Sequence, residues 1–190
     1  MHNWKLIHNL ENIKARGLID NIEKYSDKEL TRILTYTEYV FLSFELVKNM
    51  IVDPIKAFYE NIVFQGLPFT TYKEDVLVRH KNEFEACLLY LRDFMKAIDK
   101  KDFLIIQALR KHRNDLAHNL PNRLSLDELE KNADLMENAK YVIYKISSYR
   151  VRMEVGFDPI LAGVDWTKVK GPEYLILETI IEKVKSLKLK

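Results

Sequence analysis

Five glycines and five prolines are spread over 190 residues, so long stretches carry neither a helix breaker nor a residue suited to tight turns. Within those stretches apolar residues recur at spacings of three and four, the period of one helix face. Leu30, Ile33, Leu34, Thr37, Phe41, Phe44, Val47 and Met50 form one such run; Phe84, Cys87, Leu88, Leu91, Phe94, Met95 and Ile98 form another. No strand pattern competes strongly, since Val76 to Val78 and Val151 to Val155 are short enough to be helical. The chain is therefore expected to be all-α, an antiparallel bundle of five or six helices. With 47% hydrophobic and 11% aromatic residues, a chain of this length buries roughly 70% of its unfolded surface, which excludes intrinsic disorder.

The punctuation divides the chain. Ser26-Asp-Lys-Glu29 and Thr71-Tyr-Lys-Glu74 have the capping-box form, in which a hydroxyl and a carboxylate reciprocally satisfy free amides at a helix start. The first predicts a helix ending before Asp53-Pro54, with a second segment from Pro54 to Val63 and a break at Gln65-Gly-Leu-Pro68. The second predicts a helix reaching Ile98, followed by a charged turn at Asp99 to Asp102 and a helix from Phe103 to His118. Pro121 disfavours helix at the residue before it. Ser125-Leu-Asp-Glu128 opens a further helix reaching Val155; Gly156 to Gly171 form a loop, and the last helix follows Pro172 to Leu187. The expected organisation is one helical domain over 1–190, made of an N-terminal segment (1–25), a bundle core (26–155) and a loop with the C-terminal helix (156–190).

The charge balance, 30 Lys and Arg against 28 Asp and Glu for a net charge of +2, supplies no overall field for capturing a polyanion. Any nucleic-acid site has to be local. Cys87, the one cysteine, cannot form an intramolecular disulfide and sits in an apolar run, which fits a reducing compartment and an inert core thiol. No window approaches the ~18 apolar residues of a membrane span and the start has no signal-peptide pattern, so a cytoplasmic protein without membrane contact is expected.

One segment concentrates chemistry. Arg110-Lys-His-Arg113-Asn114-Asp-Leu-Ala-His118-Asn119 gathers three cations, two histidines and two asparagines where a helix is about to end. On an ideal helix Asn114 and His118 share a face, whereas Arg113 and His118 are separated by roughly 140° around the axis. Bringing those two together requires a frayed helix end, a long arginine reach or a second copy of the chain. From the residues alone a second account stands beside a functional one: cations suit a helix C-terminus through the macrodipole, with Asn119 as the cap and His118 as a capping donor.

Arg113-Asn114-Asp115-Leu116-Ala117-His118 resembles the R-x4-H motif of the HEPN superfamily, including the polar residue directly after the arginine. The resemblance implies a helical bundle that forms a homodimer, two motifs meeting across the two-fold axis, and a metal-independent endoribonuclease site in the cleft between them. It further implies a toxin or phage-defence role held in check by an antitoxin or regulatory protein, or else a non-catalytic module of the same fold that binds RNA, a nucleotide or a protein.

The residue types suit such a reaction. Cleavage of RNA by its own 2′-hydroxyl needs a base, an acid and cationic donors to phosphate. His118 titrates in the right range for base or acid, Arg113 can give two parallel hydrogen bonds to phosphate oxygens, and Asn114 can orient His118 or hold the phosphate. Arg110, Lys111 and His112 are the expected RNA-binding neighbours, the local excess of cations over Asp115 acting at short range.

Other candidates are weaker. Asp115-x-x-His118 has the carboxylate and histidine spacing of di-iron bundles but lacks a second such pair, and one Cys with scattered His excludes a zinc cluster, so neither metal nor cofactor is expected. Phosphate-cradling glycine loops are absent. Tyr36, Tyr39, Tyr141, Tyr144 and Tyr149 read as core edges and a dimer face, and Arg79-His-Lys81 as a surface cluster at a helix start. Arg150 and Arg152 read as a snorkelling helix end, and Trp166 as an anchor for the last helix.

Overall fold

A computed structural model of the chain describes residues 19, 22–61, 71–123, 127 and 131–187, with the side chains of 61, 120–123 and 183–187 excepted. The described residues are helical without strands: α1 (Asp27–Asn61), α2 (Tyr72–Asp75), α3 (Glu83–Asp93), α4 (Lys100–Arg123), α5 (Ala133–Val155) and α6 (Pro172–Leu187), with 3-10 turns at Leu77–Arg79 and Pro159–Leu161. None of these helices is long and apolar enough to cross a membrane.

Helix α1 is the spine. It contacts α3, α4, α5 and α6, and its 35 residues span about 52 Å at the α-helical rise of 1.5 Å per residue. The Ser26 box forms at its start: the Ser26 amide donates to Glu29 Oε2 at 2.9 Å and the Glu29 amide to Ser26 Oγ at 3.3 Å. Ile33, Val40, Phe44, Val47, Met50, Ile51 and Ile55 are buried along one side. The helix does not end at Asp53; Pro54 lies inside it. An interior proline forfeits one backbone hydrogen bond, and the buried neighbours Ile51, Val52 and Ile55 carry the helix through. The expected break at 65–68 and the Ser125 cap fall outside the described residues.

The segment expected as one helix from Thr71 to Ile98 is broken instead. The Thr71 box is present, but it starts only the single turn α2. His80 is extended, and Asn82 then caps α3, its side-chain oxygen accepting from the Glu85 amide at 3.2 Å. The charged stretch 99–102 is a cap rather than a turn: the Asp102 amide donates to Asp99 Oδ1 at 2.9 Å and the Asp99 amide to Asp102 Oδ2 at 3.0 Å. Helix α4 therefore starts at Lys100, and Lys145 of α5 pairs with the buried Asp102. At Asn119, φ −127° and ψ 26° interrupt the helix, which resumes to Arg123; the left-handed geometry typical of a terminal cap is not used.

The 156–171 loop is stitched to α5. Tyr144 donates to the Thr167 carbonyl and Ser148 to the Val169 carbonyl, while Tyr144 and Tyr174 meet edge-on at 5.0 Å. A Cβ on Gly171 would lie 2.6 Å from the Ser147 carbonyl oxygen and 2.1 Å from its hydroxyl. The hydroxyl could rotate away, whereas the carbonyl belongs to the α5 backbone. Gly171→Ala is expected to cost about 1–3 kcal/mol of stability, read as a lowered urea midpoint.

Several carboxyls are held below their ordinary range. Hydrogen bonds from the Ser26 amide and hydroxyl do this for Glu29, those from Thr71 for Glu74, and the Lys56 ammonium for Glu83. A depressed folded-state pKa adds stability above the unfolded pKa and loses it as pH falls through the folded value. Chemical-denaturant midpoints are therefore expected to drop as pH is taken below about 4.3, the unfolded glutamate value.

Candidate functional site

Helix α4 presents two faces at the 110–119 segment. Leu109, His112, Arg113 and Leu116 recur at helical spacing on the inner face, where Leu109, His112 and Leu116 are buried. Lys111, Asn114, Asp115 and His118 repeat the same spacing on the outer face, with Lys111 and His118 exposed and Asn114 and Asp115 half-buried.

Each inner-face polar residue meets α1. The His112 Nε2 and Tyr36 hydroxyl are 2.8 Å apart. Arg113 reaches Glu45, its Nη2 donating to Glu45 Oε1 at 3.3 Å, and its Nη1 donates to Asn114 Oδ1 at 3.2 Å. The guanidinium carbon lies 5.4 Å from the Phe41 ring centre and 5.5 Å from that of Phe44, within cation–π range. The Arg113 Nε is buried and meets no hydrogen-bond partner among the described residues.

Arg110 is committed elsewhere. It pairs with Glu85 of α3, which is 8% exposed and also accepts from Gln107. Among the described residues Lys111 forms no ion pair, and neither does Lys131 just ahead of α5. Arg110 and Arg113, which dominate the local positive charge in the sequence, are each matched by a carboxylate in the fold.

The structure thus brings Arg113 and Asn114 into contact and leaves His118 on the outer face with Asn114, away from Arg113. Helical geometry continues through His118, with Asn119 the departure from it, so on an ideal helix Arg113 and His118 stay about 140° apart within one chain. Lys111 and Asp115 line two adjoining depressions: one of ≈ 270 Å³ against α5, with His112, Leu116, Lys131 and Leu135, and one with Gln107, Arg110 and Asn114. Their volumes, ≈ 270 Å³ and ≈ 310 Å³, lie at the lower edge of the roughly 300–1,000 Å³ typical of small-ligand sites.

Glu45 is the residue sequence reasoning missed, and Tyr36, read there as a core edge or dimer face, is the partner of His112. The helical spacing of Leu109, His112, Arg113 and Leu116 was a signal that His112 and Arg113 face inward; nothing local to α1 names their partners. Elsewhere, Cys87 is buried, its thiol pushed up by desolvation and 3.1 Å from the Tyr72 hydroxyl. Burial also pushes Tyr39 up to about 12. Arg79 lies over the Tyr90 ring at 5.3 Å, and Arg150 pairs with Glu154 and Glu173. Tyr149 donates to the Met95 carbonyl at 3.3 Å, Tyr141 is exposed, and Trp166 is half-buried.

Fold and site together define an all-helical bundle carrying a polar cluster at the bend of one helix. Comparison with models of known families, with curated proteins and with solved structures finds no significant match.

Proposed function

We propose that the chain is a HEPN-like, metal-independent endoribonuclease whose site is completed by a second copy. The observation that carries this reading is the division of labour on α4. Arg113 bonds Asn114 and is braced by Glu45, while His118 stands exposed on the outer face of the helix. Pairing two copies through this face lets Arg113 of one work beside His118 of the other, which a single chain does not allow.

In the reaction, the RNA 2′-oxygen bonds to phosphorus as the P–O5′ bond breaks. One imidazole takes the 2′-hydroxyl proton, an acid returns a proton to O5′, and a cyclic phosphate remains. General acid–base catalysis supplies roughly 10²–10⁴ in rate, and a well-placed donor to the charged phosphate about 10²–10³. The two depressions, which share Lys111 and Asp115, are the proposed path of the RNA strand. The resemblance to the R-x4-H motif extends the proposal to a toxin or defence role restrained by a partner protein.

The ion pairs of Arg110 and Arg113 with Glu85 and Glu45 favour a second reading, a non-catalytic module of the same fold that binds RNA, a nucleotide or a protein. Incubation of purified protein with mixed RNA in excess EDTA separates the two. Cleavage by the wild type and its loss in His118→Ala support the enzyme; cleavage that survives in both His118→Ala and Arg113→Ala sinks it. Toxicity on expression that His118→Ala relieves would support the toxin role.

A further inference from the structure

The Arg113 guanidinium has two usable edges. Its Nη1 and Nη2 atoms, the pair that would clamp a phosphate bidentately, already donate to Asn114 Oδ1 and Glu45 Oε1. The edge containing Nε is not open to solvent, because Nε is buried. A phosphate that takes both Nη atoms bidentately therefore competes with Glu45 for Nη2.

Glu45 is placed to leave. Its side chain is 43% exposed against 31% for Arg113, and its other oxygen, Oε2, lies 3.6 Å from Lys48 Nζ, one turn further along α1. A carboxylate displaced from Arg113 thus retains a cation.

We propose that Glu45 is the resident anion of the Arg113 site, so that an RNA phosphate binds there by exchange with the Glu45 carboxylate. The identity of the incoming phosphate as RNA rests on the ribonuclease reading; the exchange itself rests on the Glu45–Arg113–Asn114 geometry. Replacing one monoanion by another at a single guanidinium yields little net Coulomb energy. Glu45 accordingly keeps the affinity of the Arg113 site low.

The test uses a 2′-O-methylated RNA oligonucleotide, which cannot be cut through its own 2′-hydroxyl, titrated into the full chain at low salt. Glu45→Gln keeps an oxygen acceptor for Nη2 but removes the competing charge, and is expected to bind the probe about three- to fivefold more tightly, the scale of one partly exposed ion pair. Glu45→Asp withdraws the carboxylate by one methylene without changing net charge, and is expected to move affinity the same way, which serves should the Gln variant fold poorly. The gain should vanish when Arg113→Gln is added.

Unchanged or weaker binding in both Glu45 variants, an equal gain without Arg113, or no binding by any variant would overturn the exchange. Unmodified RNA is assayed for cleavage in parallel. Tighter binding without cleavage leaves the exchange standing and removes the ribonuclease, whereas cleavage without tighter binding does the reverse.

Discussion

His118→Ala should lower RNA cleavage by about 10²–10⁴-fold while leaving the urea midpoint where it is. The imidazole is exposed, so its removal opens no cavity, and surface substitutions of this kind usually change stability by less than about 0.5 kcal/mol. Arg113→Ala should behave differently. Its guanidinium lies over Phe41 and Phe44 and bonds Glu45 and Asn114, so truncation removes packing together with charge. Activity and stability should fall together, and loss of cleavage in that variant alone would say little about chemistry. Cleavage and urea denaturation measured on both variants give the comparison; retained activity in a folded His118→Ala protein would remove the histidine from the reaction.

Arg110→Ala is the second large effect, and it is an effect on the fold. Glu85 is buried on α3 with Arg110 as its cation. Removing one partner of a buried pair leaves the other charged and desolvated, at a cost of about 3–5 kcal/mol when both are fully buried. The Arg110 side chain is 29% exposed and water can reach the site, so about 2–3 kcal/mol is expected here after screening. Arg110→Ala/Glu85→Leu, which removes the stranded charge, should recover most of it. A full loss of RNA binding in Arg110→Ala with no fall in urea midpoint would instead assign Arg110 to the ligand.

Where side chains repeat at helical spacing, the sequence was readable. The Ser26 and Thr71 boxes, the end of α5 at Val155 and the last helix at Pro172–Leu187 all follow from local chemistry. Misreadings occurred where tertiary packing overrides a local rule and where one local pattern stands in for another. Pro54 marked a break because proline forfeits a backbone bond, yet buried residues on either side sustain α1. Asp99 and Asp102 looked like a charged turn because aspartate favours turns; they form a reciprocal cap instead. At the candidate site, the placement of Arg113 and His118 on different faces of α4 could be read from spacing. The neutralising role of Glu45 and Glu85 could not, because those partners lie 68 and 25 positions away in the chain and only the register between helices brings them close.

Because α1 touches every other long helix and meets the inner-face residues of α4 through Tyr36 and Glu45, while Glu85 of α3 holds Arg110, the motif is tied into the bundle on two sides. Amide hydrogens around residues 109–116 can exchange with solvent through openings that leave α1 intact only if those α1 contacts are first released. Their slowest exchange should therefore track unfolding of the whole bundle, making the chemistry-bearing turn of α4 part of the most protected unit of the protein rather than of its mobile periphery.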